Sequence, residues 1–256
     1  MKPSTLAIIA LAVSGMVFTV PSALSQGMMS GLDLTSDRMT KAAMTREEVM
    51  ALLSASSSEK PANLRSAELN GLDLSGLEFK GADMTSAYLN DANLSGAKLA
   101  GAKLDQAWAM RADFSGADLS GANLFQAQLR DTNFTGANLK DSRLAADLTN
   151  ATLVDADLSG ANLSADMENQ SMGMMRGVMN SADLTNARLV GTDLSRAAAE
   201  FANFENADLT GANLLRAEIA GAKFTGSNLE GADFEKADLR STKFVDVKGK
   251  AKNLDR

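Results

Sequence analysis

From Ala62 to Asp246 the chain is written in five-letter words, and this period constrains the fold more than any other feature of the 256 residues. The words run ANLRS, AELNG, LDLSG, LEFKG from Ala62 to SRLAA at Ala146. They resume as ADLTN, ATLVD, ADLSG, ANLSA from Ala146, and begin again with ADLTN at Ala182, about 34 words in all. A helix needs apolar residues at a spacing of 3.6 and a plain strand at a spacing of 2. Here Ala and Leu stand two apart and the pair recurs every five residues, so neither element persists. In extended backbone, residues two apart point the same way; Ala92 and Leu94 face the interior while Asn93 faces out. To return the next pair to the same interior, the chain must turn at the fourth and fifth letters, which are Ser, Thr, Asn, Asp and Gly, the turn formers.

If four such faces close a square, one coil takes 20 residues and residues 20 apart stack. The sequence carries that signature. Phe114 and Phe134 form one ladder, Phe204, Phe224 and Phe244 another, and Tyr88 and Trp108, the only Tyr and Trp, a third at outward positions. Glu78, Lys98 and Asp118 alternate in sign along one outward column, as cross-strand pairs favour. Two words, AWAMR and AAAEF, lose the large central residue at Ala109 and Ala199. Lost core volume there predicts dents or displaced backbone, with Trp108, Met110 and Phe201 outside or at corners.

These words resemble the pentapeptide-repeat family, whose consensus is A-(D/N)-L-x-x, over residues 62 to 246. The resemblance implies an all-β fold, a right-handed quadrilateral β-helix; the handedness comes from the family alone. About nine coils at ~4.8 Å per coil give a rod of roughly 40 Å. Some members of the family mimic duplex DNA and bind type II topoisomerases. The acidic balance of this chain, a net charge of -7, fits such a role.

The first 25 residues argue against it. Lys2 precedes an apolar run from Leu6 to Val20, followed by Pro21 and small residues at Ala23 and Ser25, the pattern of a secretory signal cleaved near Ser25. The run is shorter than the ~20 residues of a spanning helix. The expected location is therefore the periplasm or an equivalent lumen, or the exterior, whereas a topoisomerase is cytosolic. The chain has no Cys, so it must be stable in an oxidising compartment without disulfides.

Residues 26–60 form an N-terminal extension. Thr45 and Glu48 have capping-box spacing, and Val49, Leu52 and Leu53 form a helical stripe, which predicts a short helix over 46–54 covering the first coil. LDLTS at 32–36 already reads as one repeat, an extra strand. The repeat domain is expected to span 61–247, followed by a solvated basic tail at 248–256. At that end Phe244, Val245 and Val247 leave an apolar coil edge, a surface for a homodimer.

The repeat breaks between Leu163 and Leu184, and residues 164–181 read as an irregular Met-rich coil. Leu144 to Leu148 is one residue short and Leu163 to Leu184 one long, so the two offsets are expected to cancel and Leu144 to Leu184 to span two coils. Met167 and Met172 would fill central positions, since methionine adapts to irregular gaps. The alternative is a metal site: thioethers select Cu(I), and Met167, Met172, Met174, Met175 and Met179, on a loop made flexible by Gly173 and Gly177, are candidate ligands. A third use is a contact surface for a protein partner.

Catalysis has few candidates. The chain has neither His nor Cys, its carboxylates recur outward because the repeat puts them there, and no phosphate-binding glycine motif stands out. Interspersed charges argue against nucleic acid. The expectation is a non-enzymatic exported scaffold for an unknown protein partner. Its contact regions would be the Met167 to Met179 stretch, the Tyr88/Trp108 pair, and Phe244, Val245 and Val247.

Overall fold

The computed structural model describes residues 33–168 and 175–254. The expected signal segment at 1–25 lies outside them. By compactness the chain divides into Met1–Leu34 and Thr35–Arg256; of the first unit only Asp33 and the exposed Leu34 are described, and the fold below is that of the second.

The repeat becomes a β-helical solenoid with four ladders of parallel bridges, one per face. One ladder runs Asn63, Asp83, Lys103, Asn123, Arg143, Asn162, Asp193, Asn213, Asp233, Lys252; the others start at Glu68, Asp73 and Glu78. The 20-residue stacking rule thus holds along the first coils. The all-β expectation needs one correction: the described residues contain isolated bridges but no extended strands. Each face is three residues long before the chain turns, so a ladder meets each coil at a single residue.

Hydrogen bonding explains the letters. In the word at Asp73 to Gly76, Leu74 N–H donates one coil ahead to Asn93 O at 2.7 Å, and Gly76 N–H to Ser95 O at 2.9 Å. The outward residue donates one coil back, as Asp83 N–H does to Ala62 O at 2.9 Å, and the first letter closes the turn, as Ala82 N–H does to Phe79 O at 2.8 Å. That leaves the fourth N–H, which the second letter's own side chain accepts: Ser75 N–H to Asp73 Oδ1, 3.1 Å, and Ser95 N–H to Asn93 Oδ1, 3.0 Å. Every N–H of a regular word is thereby paired, and Asp or Asn stands second because it supplies the last acceptor. Asn adds a bond between coils, as Asn138 Nδ2 does to Asp118 Oδ1 at 2.9 Å and Asn133 to Asp113 at 3.0 Å. The fifth letter is left-handed, with Gly at Gly116 but also Arg111 at φ 58° and Phe201 at φ 59°.

Inside, the predicted phenylalanine ladders form. Phe114 and Phe134 stack at 5.2 Å, Phe204 and Phe224 at 4.7 Å, Phe224 and Phe244 at 5.1 Å. The dents do not appear in the backbone. Ala109 and Ala199 share one face, yet the bridges Trp108 to Gln128 and Ala198 to Glu218 continue the ladder through both. Intercoil bonds hold these small residues in register without a large neighbour. Trp108 is half-buried, Phe201 is exposed at a corner, and Met110 sits at a corner but buried.

The N-terminal end is covered. Helix α1 (Asp37–Thr40) buries Met39, and helix α2 (Arg46–Ser54) begins with the expected capping box, Glu48 N–H to Thr45 Oγ1 at 3.2 Å and Thr45 N–H to Glu48 Oε2 at 2.8 Å. Val49 is fully buried and Leu53 packs beside it, whereas Leu52 is turned out to solvent, contrary to the predicted stripe. The described part of LDLTS, residues 33–36, is not an extra strand: Ser36 precedes α1, and the only bridge before the first coil among the described residues is Ala42 to Leu69, antiparallel. The tail is not simply solvated either. Lys248 and Lys252 extend two ladders, and Ala251 and Leu254 pack against the core.

Candidate functional site

The two irregularities of the repeat lie one above the other at the same corner, and they are unlike in size. At the first, Ala146 N–H donates to Leu144 O at 2.9 Å, a turn one residue tighter than its neighbours. Accordingly Gln128, Asn133, Asn138 and Arg143 bridge residues 19 ahead. At the second, Asp147 bridges Val178, Thr152 bridges Asp183 and Asn162 bridges Asp193, each 31 residues ahead where a regular coil gives 20. The offsets therefore do not cancel. One residue is missing at Leu144, and the register gains eleven residues after Leu163. Leu144 to Leu184 covers six faces, not two coils.

The wall closes beneath the extrusion. Gly177 N–H donates to Leu163 O at 2.9 Å, the bond that Ala102 makes to Leu99 in a regular turn, also at 2.9 Å. Gly177, Val178 and Met179 thus form the next word, and the register of the wall passes from Ala165 to Gly177. Gly177 is not a flexible hinge but part of the wall: a Cβ there would lie 2.9 Å from Leu163 Cβ and 3.0 Å from Leu163 O. Met179 is the central residue of its word and fully buried. As a core side chain it is withdrawn from the candidate ligand set.

The stem of the extrusion is tied at several points. Asp166 N–H donates to Met175 O at 2.8 Å. Arg143 pairs with Asp166 at 3.6 Å and lies 3.8 Å over the Phe125 ring. The Met175 sulfur meets the Gln126 side-chain amide across the tightened corner, where Ala145 is only 4% exposed. The missing residue removes the left-handed fifth letter that would protrude there.

On the return side Arg176, its side chain 11% exposed, forms a bidentate pair with Glu218 at 2.7 and 2.6 Å and donates to Arg196 O at 3.0 Å. Glu218 lies two rungs along the ladder from Val178, and the rung between is Ala198, outward yet buried. A larger side chain at Ala198 would stand in the path of the guanidinium. The same ladder carries the Arg130 to Asp147 pair at 2.6 Å one rung before Val178.

Of the predicted methionines, Met167 is exposed on the loop and fills no central position, Met175 packs at the stem, and Met172 and Met174 lie outside the described residues. The predicted aromatic pair stacks as a bridge from Tyr88 to Trp108, but Tyr88 is not an open surface: Arg38 lies 4.7 Å over its ring and pairs with Glu68 at 3.6 Å. At the far end Phe244 and Val247 are half-buried in the last coil and Val245 is 48% exposed. Among the described residues no cluster of carboxylates is arranged to hold a metal ion, and no helix is long and apolar enough to cross a membrane.

Sequence reasoning missed the Arg176–Glu218 pair and the tie at Gln126. The one signal was Ala198, a small apolar second letter in a column otherwise mostly polar.

The model of the family described as Pentapeptide repeats matches this chain in eight copies, over 62–165, 179–214 and 217–248. The gap from 166 to 178 falls on the extrusion. A search of curated proteins gives no significant match. Among solved structures, the chain is similar to full-length QnrB1, a plasmid-mediated fluoroquinolone resistance protein, at 17% identity and a TM-score of 0.50, covering 70% of this chain and 90% of that one. It is also similar to HetL, a pentapeptide repeat protein involved in heterocyst differentiation regulation from the cyanobacterium Nostoc sp. strain PCC 7120. That match has 28% identity and a TM-score of 0.36, covering 82% and 94%.

Proposed function

The chain belongs to the pentapeptide-repeat family, and from that premise we propose that it is a non-enzymatic, right-handed quadrilateral β-helical scaffold that binds a protein partner through its extruded loop. One observation carries the reading. The wall passes unbroken under the loop through the Gly177 to Leu163 bond, while Asp166, Met175 and Arg176 tie the stem to the wall. A segment fixed at its base and skipped by the register of the wall serves recognition rather than stability, because binding elements sit on loops positioned by rigid scaffolds. The signal-like sequence of residues 1–25 supports a location outside the cytosol, in the periplasm or an equivalent lumen.

A photo-crosslinking residue in place of Met167, whose side chain is exposed, tests the loop in cells. The expected result is a discrete adduct identified by mass spectrometry, absent when residues 166–176 are excised. An adduct pattern indifferent to the excision overturns the assignment of the loop. Determining the N-terminus in fractionated cells tests export: a start near Gln26 in the envelope fraction supports it. An intact Met1 in the cytosol would instead revive the DNA-mimic, topoisomerase-binding alternative.

Cu(I) handling is the second reading, favoured by the Asp166 to Met175 bond, which sets both ends of the methionine segment side by side. Its ligands would be Met167, Met172, Met174 and Met175. A Cu(I) titration against a competing chelator, beside a variant with these four changed to Leu, decides it: tight binding lost in the variant supports copper, and no binding removes it. A homodimer through the C-terminal end is the weaker use of that surface. Lysines on its rim meet lysines in any two-fold pairing.

A further inference from the structure

The two ends of the solenoid differ in how they are finished. At the N-terminal end the inward residues Leu64, Leu69, Leu74 and Phe79 are buried, because α2 lays Val49 and Leu53 over them. The outward residues of that first coil are Asn63, Glu68, Asp73 and Glu78, an acidic rim. The covering segment meets it with cations. Arg46 pairs with Asp73 at 3.5 Å, donates to the Asp73 carbonyl and reaches Ser75 O at 3.1 Å, while Arg38 pairs with Glu68. An amphipathic helix therefore covers the apolar end, and two arginines of the covering segment, Arg38 and Arg46, bind its acidic rim.

The C-terminal end has the opposite sign and no such cover among the described residues. Leu239, Phe244, Val247 and Leu254 are only half-buried, and Val245 is exposed. The last outward residues of the four ladders are Asp238, Lys243, Lys248 and Lys252, the lysines exposed and joined by an exposed Lys250; Asp238 is already paired with Arg240 at 2.6 Å. Lysine on an open edge blocks strand pairing with another edge, and in a two-fold pairing of this end the lysines would face each other.

Taking the scaffold role as given, we infer that the C-terminal coil end is a docking face for an acidic amphipathic helix of a partner protein. Its apolar stripe covers Leu239, Phe244, Val247 and Leu254, and its carboxylates meet Lys243, Lys248 and Lys252. As Arg38 and Arg46 meet the acidic rim at the N-terminal end, carboxylates meet the lysines here, in the helix-in-groove mode of recognition. The face is separate from the loop corner. Failure at this end leaves the loop's role standing, and failure of loop cross-linking leaves this one standing.

The test uses the full chain and a fluorescent synthetic peptide that forms an amphipathic helix with Leu on one face and Glu on the other. Controls are the same peptide with Lys for Glu and a scrambled sequence. Expected is micromolar binding of the acidic peptide alone, weakened by salt and reduced at least tenfold in Lys243→Glu/Lys248→Glu/Lys252→Glu. Those positions are exposed, so the variant folds; a Gln triple variant with an intermediate loss confirms a charge effect. No acidic-peptide binding, or binding indifferent to the lysines, overturns the inference. So does concentration-dependent dimerisation through this end by sedimentation, which assigns it to a second copy. Co-sedimentation with phosphatidylglycerol vesicles without peptide binding overturns it in favour of a lipid surface.

Discussion

Gly177 N and Leu163 O are 2.9 Å apart in a hydrogen bond, and this bond lets one coil close although its register skips eleven residues. The glycine is required by space. An added methyl would meet Leu163 Cβ at 2.9 Å, inside a wall whose register is fixed from both sides. Gly177→Ala is expected to lower stability by about 1–3 kcal/mol, the usual cost of overpacking a core, read as a shifted urea midpoint at unchanged slope.

Met179 tests which methionines belong to the wall. It is fully buried in the central position of a face where Leu129 and Leu148 stand in the two preceding coils. Met179→Ala should cost about 2–5 kcal/mol and Met179→Leu less than about 1.5, by chemical denaturation. Neither should alter any Cu(I) affinity of the loop; a copper affinity that falls in Met179→Leu would return this residue to the ligand set.

The Arg176–Glu218 pair is half open, with Glu218's side chain 42% exposed and Arg176's 11%. Screening limits such a pair, so a double-mutant cycle with Ala is expected to give a coupling of about 1 kcal/mol. The sharper readout is local. Cutting of the loop by a protease at low concentration should speed up in Arg176→Ala and in Glu218→Ala alike, with no further gain in the double variant.

Acid should weaken the fold through its outward aspartates. Asp118 is partly buried, which raises its carboxyl pKa and is the largest single influence. The Ser120 hydroxyl and N–H, the Asn138 amide and nearby Lys98 outweigh it and hold the group below its usual value. Asp83 is held low in the same way by Thr85 and Arg65. A carboxyl depressed in the folded state gives stability that is full above the unfolded pKa of about 3.9 and lost as pH falls through the folded value. Asp105 works in the opposite sense, raised chiefly by burial. The melting temperature should therefore fall as pH drops from about 5 towards 2, less steeply in Asp118→Asn, which keeps the turn acceptor and loses the charge. A melting temperature flat to pH 3 would contradict this.

The period of five carried nearly all of the architecture. It gave the four faces, the 20-residue stacking and the phenylalanine ladders, because each word meets the same steric and hydrogen-bonding demand. What it concealed was local. The second letter reads as a solvated face, yet Asp73 and Asn93 stand there to accept the N–H of Ser75 and Ser95, a bond invisible to hydropathy. The interruption is not legible by counting from Leu163 to Leu184, because the count assigns whole coils to residues that the register skips. The bridges from Asp147 to Val178 and from Thr152 to Asp183 give the true register. The last residues read as a polar tail because Lys248 and Lys252 are charged, although in a ladder only their backbones need to pair.

The central claim, that the wall carries the stability and the loop is an addition to it, is tested most directly by excising residues 166–176 so that Ala165 joins Gly177. The words then read ANLSA, GVMNS, ADLTN without interruption. The account predicts an unchanged circular dichroism spectrum and a melting temperature equal to or above that of the intact chain, since a long closed loop is removed and the Gly177 to Leu163 turn is kept. A variant that fails to fold, or melts many degrees lower, would show that the extruded segment is part of the core and would contradict the account.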